Sequence, residues 1–478
     1  MGAALRLLVP NPAGALWIGL GVALVLFGDF SRSRSGRNRA LLGLLALAPF
    51  LAHLLRLNEI RGSSLAAWVF TVVYAITAAY AVWAGVLALR RPGSPWRPNP
   101  DVRALRVMVG ILLVLNASVV FGRHPDDAGY YSNLGGQRWR ETGTIPYGDE
   151  LLKGPESPAF GAAATYGPVL YVAHIPFQIV LGRASNPPAM NPKDTPYQRP
   201  PVVATQMACF AFYLLALFSL YVVVRRVDDR RLGLAAVALY AGSPYILGLG
   251  GQTAAITGLA FISHIAPSAV MLAALAVIHR PAVAGALLAV AAGVLFVPAF
   301  VFPLWLGWMF WRRGGVGRFA LGFAVMGAVL AGIVIWATHA PPGSSAISMF
   351  LESTLEHQEG VGERAYGASQ FGFWGTHPRL AGFWQQPLFG ETSLFKPTFL
   401  LYGALTIGAF FLARGRSVPQ LAGLTAMLLA AVQLWKTHAA GSYVEWYYPF
   451  LLIALLSSGS DRGKATPTGN SPTTPGDG

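Results

Sequence analysis

Charge is scarce in this sequence, and negative charge is scarcest: 12% of the 478 residues are charged, with 20 Asp and Glu against 35 Lys and Arg. A soluble domain carries about 25% charged residues, so a water-exposed globular fold is excluded. The single cysteine, Cys209, lies inside an apolar run. That excludes a disulfide framework and a thiolate metal site, and leaves the redox compartment open. No GxxxxGK[ST] loop occurs, and no GxGxxG sits between a strand and a helix, so nothing points to a cradled nucleotide. Carboxylates are also missing from the middle of the apolar runs. Ion-coupled transporters and pumps keep such groups because a charge that costs several kcal/mol in lipid has to be used, and coupling of that kind is disfavoured here.

What is present is apolar: 54% of the residues are hydrophobic. Long apolar runs fall near residues 9–28, 40–56, 65–89, 104–122, 166–182, 201–224, 232–249, 255–278, 281–311, 319–338, 397–413, 418–435 and 446–458. Their length suits helices rather than short alternating barrel strands. The expectation is an all-α, polytopic transmembrane protein of about twelve to thirteen spans. It forms a single membrane domain over residues 1–458, followed by a Ser/Thr/Pro/Gly-rich disordered cytoplasmic tail at 459–478. The N-terminal run is too long for a signal h-region and reads as a first membrane helix.

The net charge of +15 does not indicate nucleic acid, because the basic residues form short clusters between apolar runs. Clusters stand at Arg32–Arg39, Arg90–Arg106, Arg225–Arg231, Arg312–Arg318, Arg414 with Arg416, and Arg462 with Lys464. Placing them in the cytoplasm puts the N-terminus and three loops outside: 123–165, 340–395 and 437–445. If residues 166–182 cross fully, the 225–231 cluster lands on the wrong side. The preferred resolution makes 166–182, with Pro168, His174 and Pro176, re-entrant or interfacial. It makes 281–311, with Pro298 and Pro303, two half-spans. The competing solution makes each a single span.

The first outer loop carries the strongest chemical pattern. Asp126 to Glu141 can form a helix on the membrane surface, preceded by Pro125 and stopped by Gly143. Helical spacing aligns Asp127, Tyr130, Tyr131, Leu134 and Arg138 on one face. A carboxylate there could take the proton of an attacking hydroxyl. Arg138, Arg140 or Lys153 could steady a departing phosphate. The plainer reading is that Asp126 caps the helix and Asp127 favours its N-terminal dipole.

The stretch HPDDAGYYSNLGGQRWRETGTIPYGD, followed by YGPVLYVAHIPFQIVLG, resembles the first outer loop of the GT-C superfamily of polyprenyl-phosphate-sugar glycosyltransferases. The matching positions are Asp126, Asp127, Tyr130, Tyr131, Gly143, Pro146, Tyr147, Tyr166 and Pro168. The resemblance implies that Asp126 or Asp127 is the catalytic base and that the donor is a lipid-phosphate sugar. A mannosyl- or arabinosyltransferase-like enzyme of the plasma membrane is implied, with a glycan, lipid or protein acceptor on the extracytoplasmic face. Two features depart from the family: three apolar segments precede the loop, where many members have one, and the second acid, often Glu, is Asp. No cofactor is fixed, and a divalent cation, Mg or Mn, would be compatible.

Two further stretches contribute candidates. HAAGSYVEWYYP follows Lys436, and Lys436, His438 and Tyr443 could face a lipid phosphate or form an ordinary aromatic interface belt. In the 340–395 loop, Glu352, Glu356, Glu359 and Glu363 line one helical face, read as solvated rather than metal-binding. FGFWGTHPRLAGFWQQPLF carries His377 and Arg379 among aromatics that suit either an acceptor groove or a membrane-dipping loop. His53 and His264 fall in or near spans and read as satisfied core histidines. Two other functions remain as alternatives: a transporter or flippase of lipid-linked glycans, which needs a continuous polar path, and a non-catalytic scaffold.

Overall fold

The structure, a computed structural model, describes residues 9–29, 31, 35–45, 64–90, 96–123, 125, 127–147, 166–181, 203–248, 258–340, 342–351, 353–354, 395–435 and 443–457. Among these the regular structure is helical, without strands. In chain order the helices are α1 (Pro12–Phe27), α2 (Gly36–Leu45), α3 (Ser64–Leu89), α4 (Val102–Gly122), α5 (Asp127–Thr142) and α6 (Pro168–Val172). Then come α7 (Ile175–Leu181), α8 (Val203–Val227), α9 (Arg230–Ala241), α10 (Pro244–Leu247), α11 (Ile262–Ala276) and α12 (Pro281–Val294). The last six are α13 (Phe302–Trp311), α14 (Val316–Ala337), α15 (Ala346–Leu351), α16 (Phe395–Leu412), α17 (Val418–Trp435) and α18 (Val444–Leu456).

Local chemistry sets many helix starts. Asn11 caps α1, Asp101 caps α4, Asp229 caps α9 and Ser243 caps α10, each side chain accepting a backbone N–H of the first turn. Pro168 and Pro281 stand at the first positions of α6 and α12, where a missing N–H costs nothing. Gly143 ends α5 at φ 74°, a left-handed conformation that glycine adopts freely.

Among the described residues three helices, α4, α8 and α14, are long and apolar enough to cross a membrane, and nine shorter apolar helices accompany them. At 1.5 Å per residue the three span roughly 31–38 Å, matching a hydrocarbon core of about 30 Å. Aliphatic side chains on their outer faces, such as Val107, Ile111 and Val114 on α4 and Leu321, Val325 and Val329 on α14, are exposed. In water such stripes would be costly; in a bilayer they are the lipid-facing surface. The chain is a helical membrane protein.

Contacts between helix ends sort the bundle into two faces. On one, Asn99 N–H donates to Leu26 O, Trp96 N–H to Leu456 O, and Arg231 to the carbonyls of Asn99 and Pro100. Arg226 reaches the Ala276 carbonyl and His279, Gln420 reaches Arg90 O, and the Trp308 indole donates to Arg416 O. The clusters around residues 90–106, 225–231, 312–318 and 414–416 therefore share this face. On the opposite face, Arg123 donates to Pro10 O and Leu247 O, Gly258 N–H meets Glu445, and Ile145 N–H donates to Ala337 O.

This pairing removes the parity conflict. The stretch 166–181 forms two helices of 5 and 7 residues, separated at Ala173 and His174. Each reaches only about 8–11 Å, too short to cross. Gly167 N–H donates to Val294 O at the C-terminal end of α12, while His174 and Gln178 hold α5. Residues 281–311 are likewise two short helices, α12 and α13, joined by a 3-10 turn at Val297–Val301. α12 leaves the arginine face and α13 returns to it, so the hairpin crosses only part of the bundle. α14 packs against α12 at backbone distance. A Cβ on Gly285 would collide with the Phe319 carbonyl, and one on Gly322 with the Ala282 carbonyl. Helices in lipid associate through such small residues because no hydrophobic gain is left to draw them together.

Candidate functional site

Four helix N-termini meet on the face away from the arginines: those of α5, α8, α11 and α18. At the start of α8, Thr205 Oγ1 donates to Gly129 O in the first turn of α5. Gln206 Nε2 donates to the carbonyls of Phe121 and Arg123 at the end of α4. Cys209 Sγ reaches Ala260 O just before α11, and α11 in turn packs against α5. Gly258, ahead of α11, donates its N–H to Glu445 in the first turn of α18, at 2.7 Å. Each N-terminus carries about half a positive charge from its aligned peptide dipoles, while Arg123 and Gln206 cover C-terminal carbonyls of α10 and α4, so the point where the four N-termini meet favours an anion.

Arg123 adds a full charge. It is buried, with Nη1 at 2.7 Å from Leu247 O and Nη2 at 3.2 Å from Pro10 O, and its Nε has no partner among the described residues. Burial pushes the guanidinium down to about 10, which still leaves it charged at neutral pH. Among the described residues no carboxylate pairs with it.

Asp127 is the first residue of α5, so the helix begins at the acidic pair; its side chain, and Asp126 altogether, lie outside the described residues. Tyr130 and Tyr131 are buried and meet edge to face, with ring centroids 5.5 Å apart. They brace α5 rather than offering an open aromatic surface. Tyr147 is enclosed as well: its hydroxyl donates to Tyr166 O at 2.6 Å, and its ring packs on Tyr171 and Phe350. Burial pushes its phenol above the ordinary range. Arg138 is half-buried near the far end of α5. Tyr443 precedes α18 and is fixed at both backbone groups by Gln433. His377, Arg379, Lys436 and His438 lie outside the described residues, as do His53 and the Glu352–Glu363 face.

A buried polar seam docks α5 on α6 and α7. Ser132 Oγ is 2.5 Å from Ala128 O and 2.9 Å from His174 Nε2. The hydroxyl has one hydrogen, which the carbonyl takes, so His174 Nε2–H donates to Ser132. Gln178 Nε2 donates to both Asn133 oxygens. Gly135 and Gly136 let Tyr171 come close: a Cβ on Gly135 would meet its ring at 2.6 Å, and one on Gly136 its carbonyl at 2.5 Å. The seam fixes the turn of α5 that follows Asp127.

The sequence reading missed the Glu445–His264 pair. Glu445 was assigned to an outer loop and His264 to the ordinary core. Both are buried, and Oε2 lies 3.3 Å from Nδ1. One signal was available: an acid opening one apolar run and a histidine opening another, on the same expected face. Among the described residues no group of three His, Cys, Asp or Glu side chains could hold a metal.

No protein-family model matches this chain, and no curated protein or solved structure matches it.

Proposed function

We propose that the protein is a membrane glycosyltransferase of the GT-C type. It moves a sugar with inversion from a polyprenyl-phosphate donor to an acceptor hydroxyl on the extracytoplasmic face of the plasma membrane. The observation that carries the reading is the meeting of four helix N-termini and buried Arg123 beside the start of α5. Such a focus suits a phosphate group on a lipid tail, because the dipoles and the guanidinium stabilise negative charge without reorganising as it develops. Asp126 or Asp127 takes the acceptor's proton as its oxygen attacks the anomeric carbon. The tail of the donor lies in the surrounding bilayer, so no soluble nucleotide domain is needed.

The test uses the protein in nanodiscs with mannosyl, glucosyl and arabinosyl farnesyl phosphates, each labelled in the sugar, together with cell-envelope extract as acceptor. Label is expected to pass from at least one donor to the extract while farnesyl phosphate is released. If no donor loses its sugar faster than in the protein-free control, the reading is lost.

Sidedness can be tested separately, because the only native cysteine is buried. Cysteine at Thr142, which is exposed at the end of α5, should react with an impermeant maleimide on intact cells. Cysteine at Arg313, on the arginine face, should react only after permeabilisation. The reverse pattern would put the site in the cytosol and remove a polyprenyl-phosphate donor acting outside.

A further inference from the structure

One acid–base pair has no part in that scheme. Glu445 is wholly enclosed, with Oε1 accepting from Gly258 N–H and Oε2 facing His264 Nδ1. With Oε2 as the acceptor of this contact, Nδ1 carries the hydrogen and Nε2 is left for another partner. The ring is held between Phe261 and Tyr443, with centroids at 5.2 Å and 4.6 Å. Trp446 stacks on Tyr443 at 4.1 Å and donates its indole N–H to Ser263 O. Among the described residues, Tyr240 and Tyr447 also lie within electrostatic reach of Glu445.

His264 Nδ1 is committed, and Nε2 has no hydrogen bond among the described residues. The His264 side chain retains 6% of its surface while that of Glu445 retains none, so any exchange with a ligand runs through the imidazole. His264 also sits in the first turn of α11, the helix packed against α5. A carboxylate that fixes the tautomer and balances an imidazolium is the arrangement by which a histidine moves protons.

We propose that His264 contacts the phosphate of the ligand through Nε2 as a proton donor, with Glu445 as its positioning residue. The substrate in this proposal rests on the glycosyl-transfer reading. As the acceptor oxygen bonds to the anomeric carbon, its proton passes to the aspartate. The bond from that carbon to the phosphate oxygen breaks, and the electron pair leaves on phosphate. The imidazolium gives its Nε2 proton to that oxygen, and the ring is recharged from solvent, to which the aspartate releases its own proton. Asp126 or Asp127 serves the nucleophile, and His264 the leaving group.

The experiment compares the full-length wild-type protein with His264→Asn and Glu445→Gln in nanodiscs. Asparagine keeps an amide N–H near the place of Nδ1–H, so the contact with Glu445 survives while Nε2 is removed. Farnesyl phosphate, farnesol and inorganic phosphate are titrated into each. A charge-assisted hydrogen bond contributes enough that farnesyl phosphate should bind about ten-fold more weakly to His264→Asn. Glu445→Gln should show a smaller loss, and farnesol none. His264-dependent binding of inorganic phosphate alone would keep the phosphate contact and make the ligand a soluble phosphate. Equal affinity in all three proteins, or no phosphate binding by the wild type, overturns the proposal.

The transfer assay separates the two ideas. Full sugar transfer by His264→Asn sinks the role of His264 and leaves the glycosyltransferase standing. Phosphate binding that depends on His264, without transfer from any donor, does the opposite.

Discussion

Changing Asp126 and Asp127 singly to Asn is expected to lower sugar transfer by about 10²–10⁴-fold in the variant that loses the base, and by much less in the other. Asparagine has nearly the volume of aspartate and opens a helix equally well, so α5 should still start where it does. A loss of turnover would then report on proton transfer rather than on folding. Binding of farnesyl phosphate should stay close to wild type, since the proposed scheme assigns its phosphate to the helix N-termini, Arg123 and His264 and not to the aspartates. Full turnover in both variants would remove the aspartates from the mechanism.

The second large effect is structural. Leucine at Gly322 or Gly285 is expected to force α14 off α12, because the atoms in the way are the backbone carbonyls of Ala282 and Phe319. Overpacking a core costs about 1–3 kcal/mol when side chains can shift, and backbone cannot shift so readily. Most of α14 faces outward, with Leu321, Val325 and Val329 exposed, so its seat on α12 and the packing of Phe319 and Phe323 on Phe302 hold it in place. Its C-terminal end also receives Ile145 N–H at the Ala337 carbonyl, at 2.9 Å. Displacing α14 therefore loosens the chain that follows α5. Thermal unfolding in detergent should drop by several degrees for either variant. Gly327→Leu is the control, since a Cβ there meets nothing within 4 Å. Equal melting of all three proteins would mean that the close contact is not made in the membrane.

The two tests probe different distances from the chemistry. The aspartates sit at the start of a helix whose position is inherited from its neighbours. Ser132 and His174 tie α5 to the short pair α6 and α7, and Gly167 ties that pair to the end of α12. α12 and α14 then lock to each other through glycines. A fault at Gly322 is thus transmitted to the site through helix contacts and hydrogen bonds, without any residue of the site being changed.

Much of the fold was legible because its signals are local. Apolar runs long enough for lipid, Asn11, Asp101, Asp229 and Ser243 at helix starts, and Gly143 at a helix stop are all statements about neighbouring residues. So is the gathering of arginines between runs, which implied the common face that the helix-end contacts display. Of the two prolines expected to keep 166–182 from crossing as one span, Pro168 opens α6 and Pro176 stands second in α7.

What periodicity could not decide was which side of α5 turns inward. It aligned Tyr130 and Tyr131 with Asp127 and Arg138 on one face, yet both tyrosines are enclosed by other parts of the chain. Nor could it pair Glu445 with His264, 181 positions apart in sequence. Composition and short-range pattern determine that a segment is helical and whether it prefers lipid, because those preferences act within a turn or two. Which helix ends meet, and so which scarce charges share one buried space, depends on how whole helices pack; only the tertiary structure decided it.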